Sequence, residues 1–149
     1  MRKSQRLKSI ENLAEEKERA AAKNLGISLN IVAERENKLA ELELYRTEYS
    51  QRFQSTNNTA TSAYHFHDFR NFLHRLDLVI EEQKKLILFG EQDVAAKQRV
   101  WQICRTKAQA LDKVVTRLET EEIMQETRQE QKELDERSSR MQQFITEKT

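Results

Sequence analysis

Proline is absent from the 149 residues, and glycine occurs only at Gly26 and Gly90. Chain reversals draw on both residue types, so tight turns must be few and most β-rich folds are excluded. Cysteine occurs once, as Cys104, which excludes an internal disulfide and suits a reducing compartment. No run approaches the ~20 apolar residues of a membrane span. Net charge is lacking as well. The 26 Lys and Arg against 25 Asp and Glu leave +1, too little for a field that would gather nucleic acid or anionic membrane. Arg2, Lys3, Arg6 and Lys8 follow Met1 with no apolar stretch behind them, so the start does not read as a secretory signal. A cytoplasmic location is expected, and the sequon Asn57-Asn58-Thr59 then carries no meaning.

Charge itself is plentiful. Asp, Glu, Lys and Arg make up 34% of the chain, against about 25% in ordinary globular proteins. The hydrophobic share is 37%, below the usual roughly 45–50%. Disordered chains tend to be rich in proline and poor in aromatics, so this composition reads as long helix. One segment interrupts it, Ser55-Thr56-Asn57-Asn58-Thr59-Ala60-Thr61-Ser62. Its side chains compete for backbone hydrogen bonds and favour caps and turns over helix interiors. Thr61 or Ser62 suits the N-cap of the helix that follows.

On both sides of the break the apolar residues recur every 3.5 positions, the coiled-coil period. Before it, a positions fall at Leu25, Val32, Leu39, Arg46 and Phe53, and d positions at Ala14, Ala21, Ser28, Arg35, Leu42 and Tyr49. After it, the a series Phe66, Leu73, Ile80, Ile87, Val94, Trp101, Ala108 and Val115 is apolar throughout. The d series Phe69, Leu76, Gln83, Gly90, Lys97, Cys104, Leu111 and Leu118 is apolar only toward its ends. A connection of about eight residues cannot return the chain for a parallel pair, so an antiparallel hairpin is expected. The all-α reading places one helix over about 5–55, a turn over about 56–62, and a second helix paired over about 63–118. Residues 119–149 are expected to be an unpaired helical or fraying tail, because the frame puts Glu122 and Gln125 on the seam. The pairing register stays open by one heptad.

Chemistry has little to stand on. His65, His67 and His74 lack metal spacing: the first two point about 200° apart on a helix, whereas ligand pairs prefer i, i+4. No phosphate loop, nucleophile elbow, CxxC pair or HExxH occurs. Cys104 and Trp101 fall on the seam and read as core. Gly90 at d reads either as a close approach of the helices or as a soft point. An enzyme, a metal and a cofactor are therefore not expected. The flanks carry more information. The g positions of the two helices share one edge of an antiparallel pair. On the second helix these are His65, Phe72, Val79, Leu86, Asp93, Val100, Lys107 and Val114, and the first helix adds Ile10, Ile31, Lys38 and Tyr45. Tyr45 should lie level with Phe72 and Val79. Apolar residues there imply either a widened core or a partner surface.

Leu13-Ala14-Glu15, then Leu39, Leu42 and Tyr45-x-x-Glu48-Tyr49, then Phe72, Leu76, Ile80 and Trp101, and finally Gln131-Lys132-x-x-Asp135-Glu136 occur in this order. Over roughly residues 7–140 this layout resembles the flagellar export protein FliJ family. The resemblance implies an antiparallel coiled coil like the two-helix part of the rotor subunit in F- and V-type ATPases. It also implies a non-catalytic component of the type III export apparatus, held peripherally at the inner membrane. Its implied partners are the export ATPase ring, the export gate membrane protein and export chaperones. The family's gate-contacting surface maps onto Lys38, Leu42, Tyr45, Tyr49, Phe72, Leu76, Val79 and Gln83. The end bearing both termini is the expected ATPase end. There Arg2, Lys3, Arg6 and Lys8 oppose a tail with nine acidic and five basic residues. Leu134 and Met141 lie one heptad apart on that tail, beside the matched Gln131, Lys132, Asp135 and Glu136. A prefoldin-like or other coiled-coil chaperone or scaffold is the alternative.

Overall fold

The computed structural model describes residues 2–56 and 63–148. Helix α1 spans Lys3–Thr56 and helix α2 spans Ala63–Glu147. The two pack against each other as a helical hairpin, with no strand among the described residues. The expected turn and its N-cap at Thr61 or Ser62 lie outside the described residues. Neither helix contains a proline or a positive-φ residue, so nothing local interrupts the i→i−4 bonding of either one. The contacts divide into two compact units, one of residues 1–18 and 103–149, the other of residues 19–102.

In the unit of residues 19–102, burial follows the heptad frame. Ala21, Ser28, Leu76, Ile80 and Gln83 are buried, and Leu25, Val32, Leu39, Leu42, Leu73, Ile87 and Val94 are half-buried. The polar middle of the seam is bonded rather than empty. Ser28 Oγ donates to Asp93 Oδ2 at 2.8 Å, and Gln83 Nε2 donates to the Arg35 carbonyl at 3.0 Å. Arg35 Nη1 donates to the Leu86 carbonyl at 2.6 Å. Gly90 makes this possible. A Cβ built on Gly90 would lie 2.9 Å from Val32 Cγ2 and 3.1 Å from Arg35 Nη1, so the close approach is the reading that holds. Gly26, by contrast, has nothing within 4 Å of an added Cβ.

The flank outside the seam of α2 opposite the g edge is charged or polar, through Arg70, Asp77, Lys84, Glu91 and Gln98. Arg46, at an a position, reaches sideways to Asp77 and bonds both carboxylate oxygens, the longer bond being 3.4 Å. That pairing lowers the Asp77 pKa, chiefly through the hydrogen bond, and raises that of Arg46. An arginine on the seam is thus accommodated by its length: the stem lies in the interface and the head finds a carboxylate at the rim.

The unit of residues 1–18 and 103–149 extends the frame back through Leu7, Glu11 and Ser4. Ala14, Ala108 and Val115 are buried, with Leu7, Leu111 and Leu118 half-buried. The pairing does not stop at Leu118. Ser4 N donates to Glu122 Oε1 at 3.2 Å and Ser4 Oγ to Glu122 Oε2 at 2.6 Å, and Arg2 pairs with Glu126. The physical reason is the start of α1. Its first turn carries no acidic residue and its first amide donors have no intrahelical acceptor. Glu122 supplies both the acceptor and the negative charge that a helix N-terminus favours. A glutamate on the seam reads from sequence as a broken pattern, and in the fold it caps the other helix.

Glu11 is the exception to easy packing. It is 1% exposed, its Oε2 lies 3.5 Å from Lys8 Nζ, and that oxygen has no hydrogen-bond partner among the described residues. Burial raises its pKa first, the Asp112 carboxyl beside it raises it further, and Lys8 opposes both.

Candidate docking surface

The most concentrated set of exposed and half-exposed aromatics lies in the unit of residues 19–102. Tyr45, Tyr49 and Phe53 recur every fourth residue on α1, and Phe66, Phe69 and Phe72 every third on α2, so each set forms a ridge. The ridges interdigitate. Phe53 stacks on Phe69 with centroids 3.8 Å apart and an 8° interplanar angle. Tyr49 stacks on Phe69 at 5.3 Å and meets Phe72 at 4.5 Å. Tyr45 stands edge-on to Phe72 at 6.3 Å. The edge-on Tyr45–Phe72 contact is of a kind that contributes about 0.5–1.5 kcal/mol beyond the area it buries, while Phe53 and Phe69 lie nearly face to face. These contacts also fix the ring planes, so the outer face of the ridge is preset.

The eight residues assigned to gate contact divide by burial. Tyr45 is 47% and Val79 46% exposed, and Lys38 is exposed. Phe72, Leu42 and Tyr49 are half-buried. Leu76 and Gln83 are buried, and Gln83 spends its amide on the Arg35 carbonyl. These last two hold the helices in position behind the exposed edge. The same g edge continues in exposed Ile31 and Leu86. Phe66 departs from its a position by being 48% exposed. It contacts Phe53 at 6.0 Å, and the Arg70 guanidinium lies 5.9 Å over its ring.

The residues assigned to ATPase contact lie in the other unit and do not form one cluster. Arg2 is engaged with Glu126 and Lys8 with Glu11, while Lys3 lines an open cleft with Arg2, Glu121, Glu122 and Gln125. Arg6 is exposed. On the tail, Gln131, Lys132, Asp135 and Glu136 are exposed, as are Leu134 at 61% and Met141 at 70%. Sequence reasoning did not single out Ile123, Met124 and Phe144, which are also more than half exposed. Their helical spacing relative to Leu134 and Met141 was the available signal.

Of the histidines, His74 helps hold the Asp77 pKa down, and the His65 ring lies edge-on to Tyr64 at 6.2 Å. Among the described residues no group of three or more His, Cys, Asp or Glu side chains has the arrangement of a metal site. Cys104 is a free thiol, half-buried beside a groove of about 170 Å³. No helix is long and apolar enough to cross a membrane among the described residues.

The family described as Flagellar FliJ protein matches residues 3–147, and no curated protein and no solved structure matches. A match over nearly the whole hairpin, both helices included, is consistent with the layout of Tyr45, Tyr49, Phe72 and the tail. The chain belongs to the FliJ family, and with it to the flagellar protein export components.

Proposed function

We propose that this protein is a non-enzymatic stalk and adaptor of the flagellar type III export apparatus. In this reading the edge around Tyr45 and Phe72 docks on the cytoplasmic part of the export gate membrane protein. The unit carrying both termini enters the ring of the export ATPase, and export chaperones are handed on along the coil. The protein then sits in the cytoplasm, peripherally at the inner membrane through the apparatus. The observation that carries the reading is the preset aromatic edge. Tyr45 is half-exposed and held edge-on against Phe72, and aromatic anchors of this kind often carry 2 kcal/mol or more of an interface. Two helices of unlike flanks also present different chemistry to each subunit of a ring, which suits a stalk that biases them unequally.

The test is a pull-down and titration of the full chain with the gate's cytoplasmic domain and with the ATPase. Tyr45→Ala with Phe72→Ala should weaken gate binding tenfold or more at nearly unchanged helicity. Deleting residues 128–149, which spares Glu122 and Glu126, should abolish stimulation of the ATPase while gate binding persists. Gate binding lost only in proportion to folding would return the edge to the core. Undiminished stimulation would take the tail out of the ring.

A further inference from the structure

Within the unit of residues 1–18 and 103–149, the groove beside Cys104 has a small floor and large walls. Small residues occupy the seam there: Ala14 and Ala108 are buried, and Cys104 is half-buried. The large side chains stand outward, Ile10 and Leu13 each 52% and Ile103 67% exposed. The space between them is about 170 Å³. An apolar cavity of about 150 Å³ takes up benzene, so the groove has room for a leucine or phenylalanine side chain. A groove between two helices receives a ridge, as the holes of a coiled coil receive knobs. A flat lipid surface would leave its floor uncovered.

Charge says what carries the ridge. Lys17 and Lys107 line the same groove, and no acidic residue lines it. Both lysines are exposed, and neither belongs to an ion pair among the described residues. The c and g positions form this edge. From Arg6 to Lys17 and from Ile103 to Arg117 they hold Arg6, Lys17, Lys107 and Arg117 and no acid. The b and e positions of the opposite edge are mixed, with Lys8 and Arg105 among Glu15, Asp112 and Glu119. The whole chain carries only +1, so the basic edge is a matter of placement rather than composition. Carboxylates on a partner would supply the missing counter-charge. An apolar ridge flanked by carboxylates is the face of an amphipathic helix, with apolar anchors at i, i+3 or i+4, and i+7. We propose that this groove docks an acidic amphipathic helix of a partner protein. The ridge of that helix enters between Leu13 and Ile103, and its carboxylates meet Lys17 and Lys107. The gate edge lies in the other unit and takes no part.

Cys104 is the chain's single thiol and lines the groove, so its reactivity reports occupancy. The probe is a synthetic helix of about 20 residues, above the length at which isolated helices are marginal. It carries a leucine stripe flanked by glutamates, and its control has lysines in place of the glutamates. Fluorescence anisotropy with the full chain should show the glutamate peptide binding tenfold or more tighter than the control. Lys17→Glu with Lys107→Glu should reverse that preference, and circular dichroism checks that the variant keeps its helicity. Saturating glutamate peptide should slow maleimide alkylation of Cys104 several-fold, whereas phosphatidylglycerol vesicles should not. Equal affinities for the two peptides, a preference indifferent to the double reversal, or a thiol unprotected at saturation overturns the proposal. So does protection of Cys104 by the vesicles, which would give the edge to a membrane surface.

Discussion

Ser4 and Glu122, 118 residues apart in sequence, share two hydrogen bonds, one from the Ser4 amide and one from its hydroxyl. The carboxylate that ends the seam on α2 is the cap of α1. It also meets a basic first turn, where Arg2 and Lys3 oppose the helix dipole, and Arg2 answers by pairing with Glu126.

Removing that cap should fray α1 without unfolding the hairpin. Glu122→Ala is expected to speed hydrogen exchange at the amides of residues 4–7 several-fold, while Glu122→Gln, which keeps an acceptor oxygen, does so less. The bond to Ser4 lowers the Glu122 pKa, so the cap is intact above the ordinary carboxylate value and is lost as pH falls through the lowered one. Equal exchange in the wild type and Glu122→Ala would show that the first turn is held by other means.

The two glycines should respond to alanine in opposite directions. Gly26 has open space around it, so Gly26→Ala gains helix propensity of about 0.8–1.0 kcal/mol. Gly90→Ala gains the same propensity, but drives a methyl against Val32, whose β-branched side chain has little freedom to yield, and against the Arg35 head bonded to Leu86. Overpacking of that kind costs about 1–3 kcal/mol, so the net effect should be destabilising. Thermal melts of the two variants check the sign, and a stabilised Gly90→Ala would mean that the helices separate there at little cost.

Glu11 should make the unit of residues 1–18 and 103–149 more stable toward acid, within limits. Its folded pKa is raised by burial and by Asp112, so the folded state prefers the protonated form. The penalty is absent below the ordinary glutamate value of 4.5 and grows as pH rises from there through the raised one. Asp77, lowered by Arg46, acts oppositely and loses its contribution as pH falls below its ordinary 3.8. Glu11→Leu should therefore stabilise at neutral pH, because it removes a buried carboxylate beside Asp112, with the difference from wild type shrinking toward pH 4. A difference in melting temperature that does not change with pH would remove the carboxylate as its cause.

Within the proposed gate edge, exposed and buried positions should separate binding from folding. Tyr45→Ala should lower stability only by the loss of its ring contacts, about 0.5–1.5 kcal/mol, and reduce gate affinity by more than that loss accounts for. Leu76→Ala empties a buried seam position and should cost about 2–5 kcal/mol of stability. A titration in which Tyr45→Ala binds like wild type would place the docking surface elsewhere.

The sequence by itself determined the two-helix architecture and which residues face inward. Each helix closes its own backbone hydrogen bonds, so a 3.5-residue apolar repeat flanked by charge leaves only the pairing of apolar seams to be satisfied. The a series from Leu73 to Val115 and the nearness of Tyr45 to Phe72 were legible for that reason. The tertiary structure alone decided which a residue sits opposite which d residue, and everything that depends on it. Glu122 becomes a cap because Ser4 lies beside it, Gly90 a close approach because Val32 lies beside it, and Gln83 a buried bond because the Arg35 carbonyl lies beside it. Glu11 is left with one unbonded oxygen because its neighbour across the seam is another acid. Those outcomes belong to register, a relation between residues tens of positions apart that no local pattern encodes.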